Sequence, residues 1–361
     1  MKNDKITVGI LFGGQSAEHD ISIRSTAALY KNLDREKYDP VFLYLSRDDG
    51  KWRLVSEQDY IMGNYMLGEY FSFLPWNQEH GIVFDADIYF PMLHGPNGED
   101  GRIQALLELA GKPYVGASSL TSGLAMDKIV AKLLFVQAGL NVADFLYFKS
   151  NDFDDIAEKI EKELSYPVFI KPCSMGSSVG ISKVGSKKDL KCALDLAFRY
   201  DHKILIEKGL DIREIEVSVM GNDEIMVSRP GELIPHNTFY DYNDKYIDGK
   251  TSFYMPAPIS QEQEERVRDI AARAYKALFL NGMSRVDLFI EKNTDEIYVN
   301  EINTIPGFTE ISMFPKLWTL QDISFTNLIT RLIDCGFEYW KKQHISTALH
   351  EGIKQDKCKS E

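Results

Sequence analysis

The sharpest chemical signal in the chain is the segment RVDLFIEKNTDEIYVNEIN, residues 285–303. Two stretches of alternating apolar and polar residues flank an Asn-Thr-Asp turn, the pattern of a β-hairpin. A turn centred on Thr294 sets Asp287 directly opposite Glu301, and Arg285 opposite Asn303, with all four on one face of the sheet. Facing carboxylates repel, so the arrangement asks for a cation between them. Oxygen donors without Cys or His suit Mg²⁺ rather than zinc. A one-residue slip would break the face, and a solvated hairpin face is the competing reading.

A second signal is KPCSMGSSVGISKV, residues 171–184. Its backbone N–H groups and hydroxyls could cradle phosphate oxygens, with Lys171 adding charge; a plain flexible hairpin fits the same residues. It is not a Walker A loop, because no Gly-Lys-Ser/Thr follows and the next element is a strand. Gly13-Gly14 is not the GxGxxG dinucleotide fingerprint either, which counts against an oxidoreductase. Glu18 and His94 each follow a strand, where the sequence alone favours a helix cap or a satisfied loop. The loop FYDYNDKY, residues 239–246, reads as a lid or as a surface crossover.

These residues need elements to hold them. The apolar run ITVGILFGG (6–14) ends in two glycines, as a buried parallel strand feeding a helix does. Ile21, Ala28, Leu29 and Leu33 then recur at helical spacing, and ADIYFPML (86–93) is a second strand pattern. Alternating strands and helices predict a wound α/β domain over residues 1–118, with GGQSAEHD and HGPNGEDG at the carboxyl ends of its strands, where ligands gather. Beyond MDKIVAK the texture becomes α+β. Hairpin-like pairs VFIKP/VGISKV, KILIEKG/REIEVSVMG and SRVDLFIE/EIYVNEIN predict antiparallel sheets in two lobes. Residues 231–257 have little periodicity, which in a segment of that length points to function or disorder. Residues 346–361 read as a polar, loose tail.

Composition bounds what such a molecule does. The 361 residues suffice for about two or three domains, and 44% hydrophobic with 26% charged residues excludes fibrous and disordered classes. A net charge of −13 opposes broad contact with nucleic acid or anionic membrane. No apolar run approaches the roughly 18 residues of a membrane-spanning helix. The start, MKNDKITVGI, lacks the pattern of a secretory signal. Cys173, Cys192, Cys335 and Cys358 show neither metal spacing nor disulfide density. The expectation is a cytoplasmic enzyme.

In this order, GGQSAEHDIS, PMLHGPNGEDG, MDKIVAK, KPCSMGSSVG, EKGLDIREIEV, FYDYNDKY, RVDLFIE and NEINTIPGFTEISMFPKLW resemble the D-alanine–D-alanine ligase family of the ATP-grasp fold, over residues 6–335. The resemblance implies a wound α/β domain (1–118) followed by a two-lobed ATP-grasp fold, with a central lobe (119–206) and a C-terminal lobe (207–345). The activity implied is the ATP-dependent joining of two D-alanines through a D-alanyl phosphate, in a bacterial cytoplasm, for peptidoglycan precursors. Two Mg²⁺ ions, replaceable by Mn²⁺, would sit on Asp287, Glu301 and Asn303. Partners would be ATP, D-alanine and a second copy of the chain, with neither nucleic acid nor membrane.

Residue by residue, the resemblance places Lys132, Lys171 and Lys245 on nucleotide phosphates. Glu207, Gly209 and Leu210 would lie along the adenine edge, and Glu214 on the ribose. Glu18 would take the ammonium of the first D-alanine, with His94 near its carboxylate. Arg285 and the N–H of Gly307 would stabilise the oxyanion, and Ser312 would hold the second carboxylate. Ser177 and Tyr246 would hydrogen-bond toward Glu18 and tie the 231–257 loop shut. The intact YDYNDKY favours D-alanine over D-serine or D-lactate as second substrate. Another ATP-grasp carboxylate–amine ligase would keep the hairpin and lysines without needing GGQSAEHD or YDYNDKY. A non-catalytic nucleotide-binding protein would be expected to have lost some of Arg285, Asp287, Glu301 and Asn303.

Overall fold

The computed structural model describes residues 5–71, 85–234 and 252–357, the last fourteen of these as helix backbone. Three sheets organise the chain. The first has the order β4-β3-β2-β1-β5, with β1 Ile6–Gly13, β2 Tyr38–Leu45, β3 Trp52–Val55, β4 Glu69–Tyr70 and β5 Ile88–Pro91. β1 runs parallel to β2 and β5, as its unbroken apolar run requires of a strand covered on both faces. β3 and β4 add antiparallel at the edge. The helix His19–Asn32 crosses between β1 and β2.

The second sheet, order β6-β9-β7-β8, is antiparallel: β6 Phe145–Phe148, β7 Val168–Pro172, β8 Ser182–Val184 and β9 Ile204–Lys208. Helix Lys187–Tyr200 lays Leu190, Ala193, Leu194 and Ala197 on it, at the spacing of one helical face. Each of those fully buried leucines contributes roughly 1.5–3 kcal/mol. The third sheet runs β13-β12-β10-β14-β15, with β11 also on β10. Its strands are β10 Ile212–Gly221, β11 Ile225–Val227, β12 Gly231–Ile234, β13 Ser252–Tyr254, β14 Met283–Glu291 and β15 Ile297–Asn303.

The β14–β15 hairpin pairs Asp287 with Glu301 and Arg285 with Asn303, as expected, but by a different route. Near the turn the register is Ile290 to Ile297 and Phe289 to Tyr298, half a residue from a turn centred on Thr294. A bulge beside Asp287 and Leu288 absorbs the difference and leaves Asn300 out of the ladder. Alternation carries no signature of such a bulge.

Three expectations are corrected. KILIEKG and REIEVSVMG are not a hairpin: β9 pairs with β6 and β7, while β10 belongs to the third sheet. The chain changes sheets at Gly209–Asp211, which opens a cleft where a hairpin turn was read. Residues 119–140, grouped by sequence order with the central lobe, pack elsewhere. Ala125, Ala131, Phe135 and Leu140 join the core of the third sheet with Val267, Ala271 and Tyr275 of helix Gln261–Ala277. Finally, the polar tail from 346 continues the helix Phe325–Lys357. Its Lys, Glu, Gln, Ala and Leu are good helix formers, so polarity alone misled. Of the aperiodic segment 231–257, the ends are β12 and β13, and 235–251 lies outside the described residues.

The core of the first domain also reaches across the molecule. Val8, Ile10, Phe12 and Phe90 share one cluster with Ile305, Phe308, Phe314 and Trp318 of the C-terminal lobe. The loop after β15 is thereby seated against the first domain.

Candidate functional site

Two cavities meet in the cleft between the sheets. The larger, about 730 Å³, is lined by Lys171 and Ser178, by the crossing strand Glu207–Glu216, and by Asp287, Asn300 and Glu301. The smaller, about 690 Å³, is lined by Glu18, His94, Glu99, Ser177, Asn303, Gly307 and Ser312. Glu216, Leu233, Arg285 and Glu301 line both. That shared wall is where groups held in the two cavities meet.

Glu18 occupies the cap position of helix His19–Asn32, yet its side chain does not cap it. Instead Ser177 Oγ donates to its carboxylate across 159 residues, so the helix-cap alternative is excluded. Gly95, in the left-handed region at φ 72° that favours glycine, lies close under this carboxylate: a Cβ would stand 2.5 Å from Glu18 Oε2 and displace it. A Cβ on Gly176 would stand 3.3 Å from the same oxygen. The 174–180 turn is therefore folded over the carboxylate, with Ser177 and Ser178 both at positive φ.

The lysines divide differently from expectation. Lys132 is 1% exposed, with Nζ 2.5 Å from Glu207 Oε1 in a contact poorly aligned for a hydrogen bond. Lys171 pairs with the other Glu207 oxygen and lies 3.4 Å from Asn300 Oδ1. Burial works against the Glu207 carboxylate, but the two ammonium groups outweigh it and hold its pKa at about 2. Burial, aided by repulsion from Lys171, lowers that of Lys132. Glu207 is thus the anchor of two cations beneath the larger cavity. Gly209 donates to the Pro167 carbonyl at 2.8 Å, and a Cβ there would stand 2.8 Å from that oxygen. Leu210 and Glu214 line the cavity wall.

One turn before Lys132, Lys128 Nζ lies 3.1 Å from Glu301 Oε2 and donates to the Met175 carbonyl at 2.9 Å. Burial opposes its charge, but Glu301 more than compensates and raises its pKa. Sequence reading passed over this residue. The i,i+4 spacing put both lysines on one face, but only packing shows which reaches Glu301.

The hairpin face is assembled as the register requires. Arg285 donates from Nε and Nη2 to the two oxygens of Asp287 at 2.7 Å each, and Nε lies 3.3 Å from Glu216. Asn303 Nδ2 donates to Asp287 at 2.9 Å, which leaves its carboxamide oxygen as the ligating end. The demand for positive charge between facing carboxylates is met within the protein by Arg285 and Lys128. Burial disfavours the guanidinium, yet Asp287 and Glu216 hold its pKa well up. Among the described residues no group of three or more His, Cys, Asp or Glu could hold a metal ion. The set is two carboxylates and a carboxamide, a hard oxygen set that fits Mg²⁺ and gives a softer metal nothing to prefer.

His94 is 4% exposed, and burial lowers its pKa. Beside it stands Glu99, another residue the sequence reading missed. Burial and the nearby Glu18 charge raise the Glu99 carboxyl to about 8. HGPNGED contains it, but nothing in spacing says it is enclosed. Ser312 Oγ accepts from the Thr309 N–H at 3.0 Å and sits 2.7 Å from Thr309 Oγ1. Cys173 is buried and donates to Asp127 at 2.8 Å; burial first, then that carboxylate, push the thiol up to about 12, so it is inert. Lys245 and Tyr246 lie outside the described residues.

Comparison with known proteins agrees over most of the chain. The family described as "D-ala D-ala ligase N-terminus" matches residues 7–117, and "D-ala D-ala ligase C-terminus" matches residues 134–334. A D-alanine–D-alanine ligase of Thermoanaerobacter sp. (strain X514) is 44% identical over 354 residues, covering 93% of this chain and 97% of that protein. That of Bacillus pumilus (strain SAFR-032) is 41% identical over 361 residues, covering 96% and 100%. Among solved structures, the D-alanine-D-alanine ligase from Coxiella burnetii has a TM-score of 0.87 at 31% identity, covering 98% and 99%. The VanG D-Ala:D-Ser ligase from Enterococcus faecalis has 0.82 at 34%, covering 92% and 100%.

Proposed function

The chain belongs to the D-alanine–D-alanine ligase family, an ATP-dependent ligase that joins two D-alanines, and we propose how its residues divide that work. The observation that carries the proposal is the shared wall. ATP in the larger cavity and amino acid in the smaller one would meet at Arg285, Glu216 and Glu301.

In the first step the carboxylate of one D-alanine attacks the γ-phosphorus, giving D-alanyl phosphate and ADP. In the second, the amine of the other D-alanine attacks the acyl carbon, and phosphate leaves from a tetrahedral intermediate. Phosphoryl transfer needs positioning and charge neutralisation more than covalent help from the protein. Lys171 and Lys128 supply charge at the floor of the cleft, Lys132 supports Lys171 through Glu207, and Lys245 would add charge to the nucleotide phosphates. Main-chain groups at Glu207–Leu210 take the adenine edge, and Glu214 the ribose hydroxyls. Asp287, Glu301 and Asn303 would hold Mg²⁺, with Mn²⁺ as a substitute, and the metal would neutralise phosphate charge.

Glu18 binds the first ammonium, with its carboxylate already oriented by Ser177. Arg285, kept charged between Asp287 and Glu216, and the Gly307 N–H stabilise the oxyanion without reorganisation. Ser312 holds the second carboxylate. By the family resemblance Tyr246 would hydrogen-bond toward Glu18, and exclusion of water matters because an acyl phosphate exposed to it hydrolyses. A homodimer in the cytoplasm is part of the proposal. Among the described residues no helix is long and apolar enough to cross a membrane.

The test is phosphate release with ATP and Mg²⁺, comparing D-alanine, L-alanine, D-serine and D-lactate, with products identified by mass. D-alanine-dependent release with the dipeptide as product is expected. Release only when D-serine or D-lactate accompanies D-alanine would overturn the second-substrate assignment, and no release at all would overturn the ligase assignment.

A further inference from the structure

A buried polar chain runs from the wall of the smaller cavity, where His94 lies, and has a definite direction. His94 Nδ1 lies 3.0 Å from the Ile305 carbonyl oxygen. A carbonyl only accepts, so Nδ1 carries the proton, and the neutral ring has a lone pair on Nε2. Ser25 Oγ, 2.9 Å from Nε2, must donate to it. That leaves the serine oxygen free to accept, and the Phe308 N–H lies 3.4 Å away, across 283 residues. The order is Phe308 N–H to Ser25 O–H to His94 Nε2, then His94 Nδ1–H to Ile305 carbonyl. Both ends land on one loop, on either side of Gly307.

The consequence falls on Gly307. Pro306 has no N–H, and the Phe308 N–H is taken by Ser25. Among the described residues the Gly307 N–H has no hydrogen-bond partner, and Gly307 lines the smaller cavity. Ser25 is fully buried and lines neither cavity. It acts only through the loop. Ser16 Oγ donates to the His94 carbonyl at 2.8 Å and fixes the histidine backbone in turn.

We propose that Ser25 is a positioning residue for acyl transfer. With His94 it clamps the Ile305–Phe308 backbone, so that the Gly307 N–H is fixed toward the oxygen that gains charge as the amine attacks. The proposal rests on the ligase reading. It also recasts His94: both ring nitrogens are engaged within the protein, so the imidazole holds the loop as a neutral clamp. Preorganised donors matter because a misplacement of about 1 Å costs about 100-fold in rate, comparable to losing one oxyanion donor.

The test compares Ser25→Ala, Ser25→Cys and Ser25→Thr in the full chain. It measures kcat, KM for ATP and for D-alanine, and inhibition by a dipeptide analogue carrying a tetrahedral phosphinate in place of the peptide carbonyl. Ser25→Ala should lose about 10- to 100-fold in kcat, with KM for ATP within about twofold. Affinity for the phosphinate should fall by a similar factor, since it needs the same donor. Ser25→Thr keeps the hydroxyl and should recover most of the rate. Were Ser25→Ala not to fold, Ser25→Cys against Ser25→Thr makes the same comparison, with thiol slow and hydroxyl fast. The proposal is overturned by a kcat within about twofold of the parent. Unchanged phosphinate affinity, or a folded threonine variant as slow as alanine, also overturns it. Absence of turnover in the parent, read before any variant, would instead be a failure of the ligase reading.

Discussion

Replacing Glu207 by Gln tests the charge architecture beneath the nucleotide cavity. The carboxylate is 3% exposed and shared by Lys132 and Lys171. Its pKa stands at about 2 against an ordinary 4.5, a preference for the charged form worth about 3 kcal/mol. The sign is that of a depressed carboxylate: the contribution is fully present above pH 4.5 and lost as pH falls through about 2. The Glu207→Gln change would leave two buried ammonium groups facing each other without a counter-charge, and breaking a buried pair costs about 3–5 kcal/mol. Discharging Lys132 at pH 7 caps its share at about 4–5 kcal/mol, the cost of removing a proton from a lysine of pKa about 10.4. At about 2–4 °C per kcal/mol, the calorimetric midpoint should fall by about 6–20 °C at pH 7. At pH 9.5 part of that loss should return, because the already lowered pKa of Lys132 lets its proton leave first. KM for ATP should rise as Lys171 loses its anchor. A midpoint within about 1 °C of the parent at pH 7 would refute the reasoning, as would the same loss at pH 7 and pH 9.5.

Other consequences are open to direct measurement. Glu301→Ala removes the proposed metal ligand and the partner of Lys128 but little core; turnover should vanish with circular dichroism unchanged, and retained activity with the parent magnesium requirement would contradict the assignment. Glu99 binds a proton more tightly when folded, so its raised pKa costs stability as pH climbs from 4.5 to about 8. Glu99→Gln should therefore flatten that part of the pH–stability curve, as read by thermal melts from pH 5 to pH 9. In the native protein, iodoacetamide should label exposed Cys192 and spare Cys173 until the chain unfolds, a difference read by peptide mass. Tyr246→Phe should relax discrimination against D-lactate as second substrate; an unchanged ratio of products across pH would count against the lid argument.

What the sequence determined by itself was the local chemistry. Alternation around a turn placed Asp287, Glu301, Arg285 and Asn303 on one face. Glycine and serine between two strands predicted the 174–180 turn, and the family resemblance linked its Ser177 to Glu18. Ordered motifs implied the ligase family and most of the residues in the cleft. These features are legible because strand periodicity and turn chemistry act over a few residues.

The tertiary structure decided everything that depends on which surfaces meet. The bulge at Asn300 compensates for a turn half a residue out of place, and alternation has no sign for it. The change of sheet at Gly209–Asp211 turns an apparent hairpin into the mouth of a cleft, because β9 finds its partners in β6 and β7. Lys128 and Lys132 share a helix face, but the buried carboxylate of Glu207 takes one and Glu301 the other. Glu99 and Ser25 look like ordinary loop and helix residues until burial removes their water. Hydrogen bonds and charges weaken in solvent and strengthen when enclosed. Their meaning therefore lies in neighbours that the chain brings from 283 residues away in the case of Ser25 and Phe308, a distance no local pattern spans.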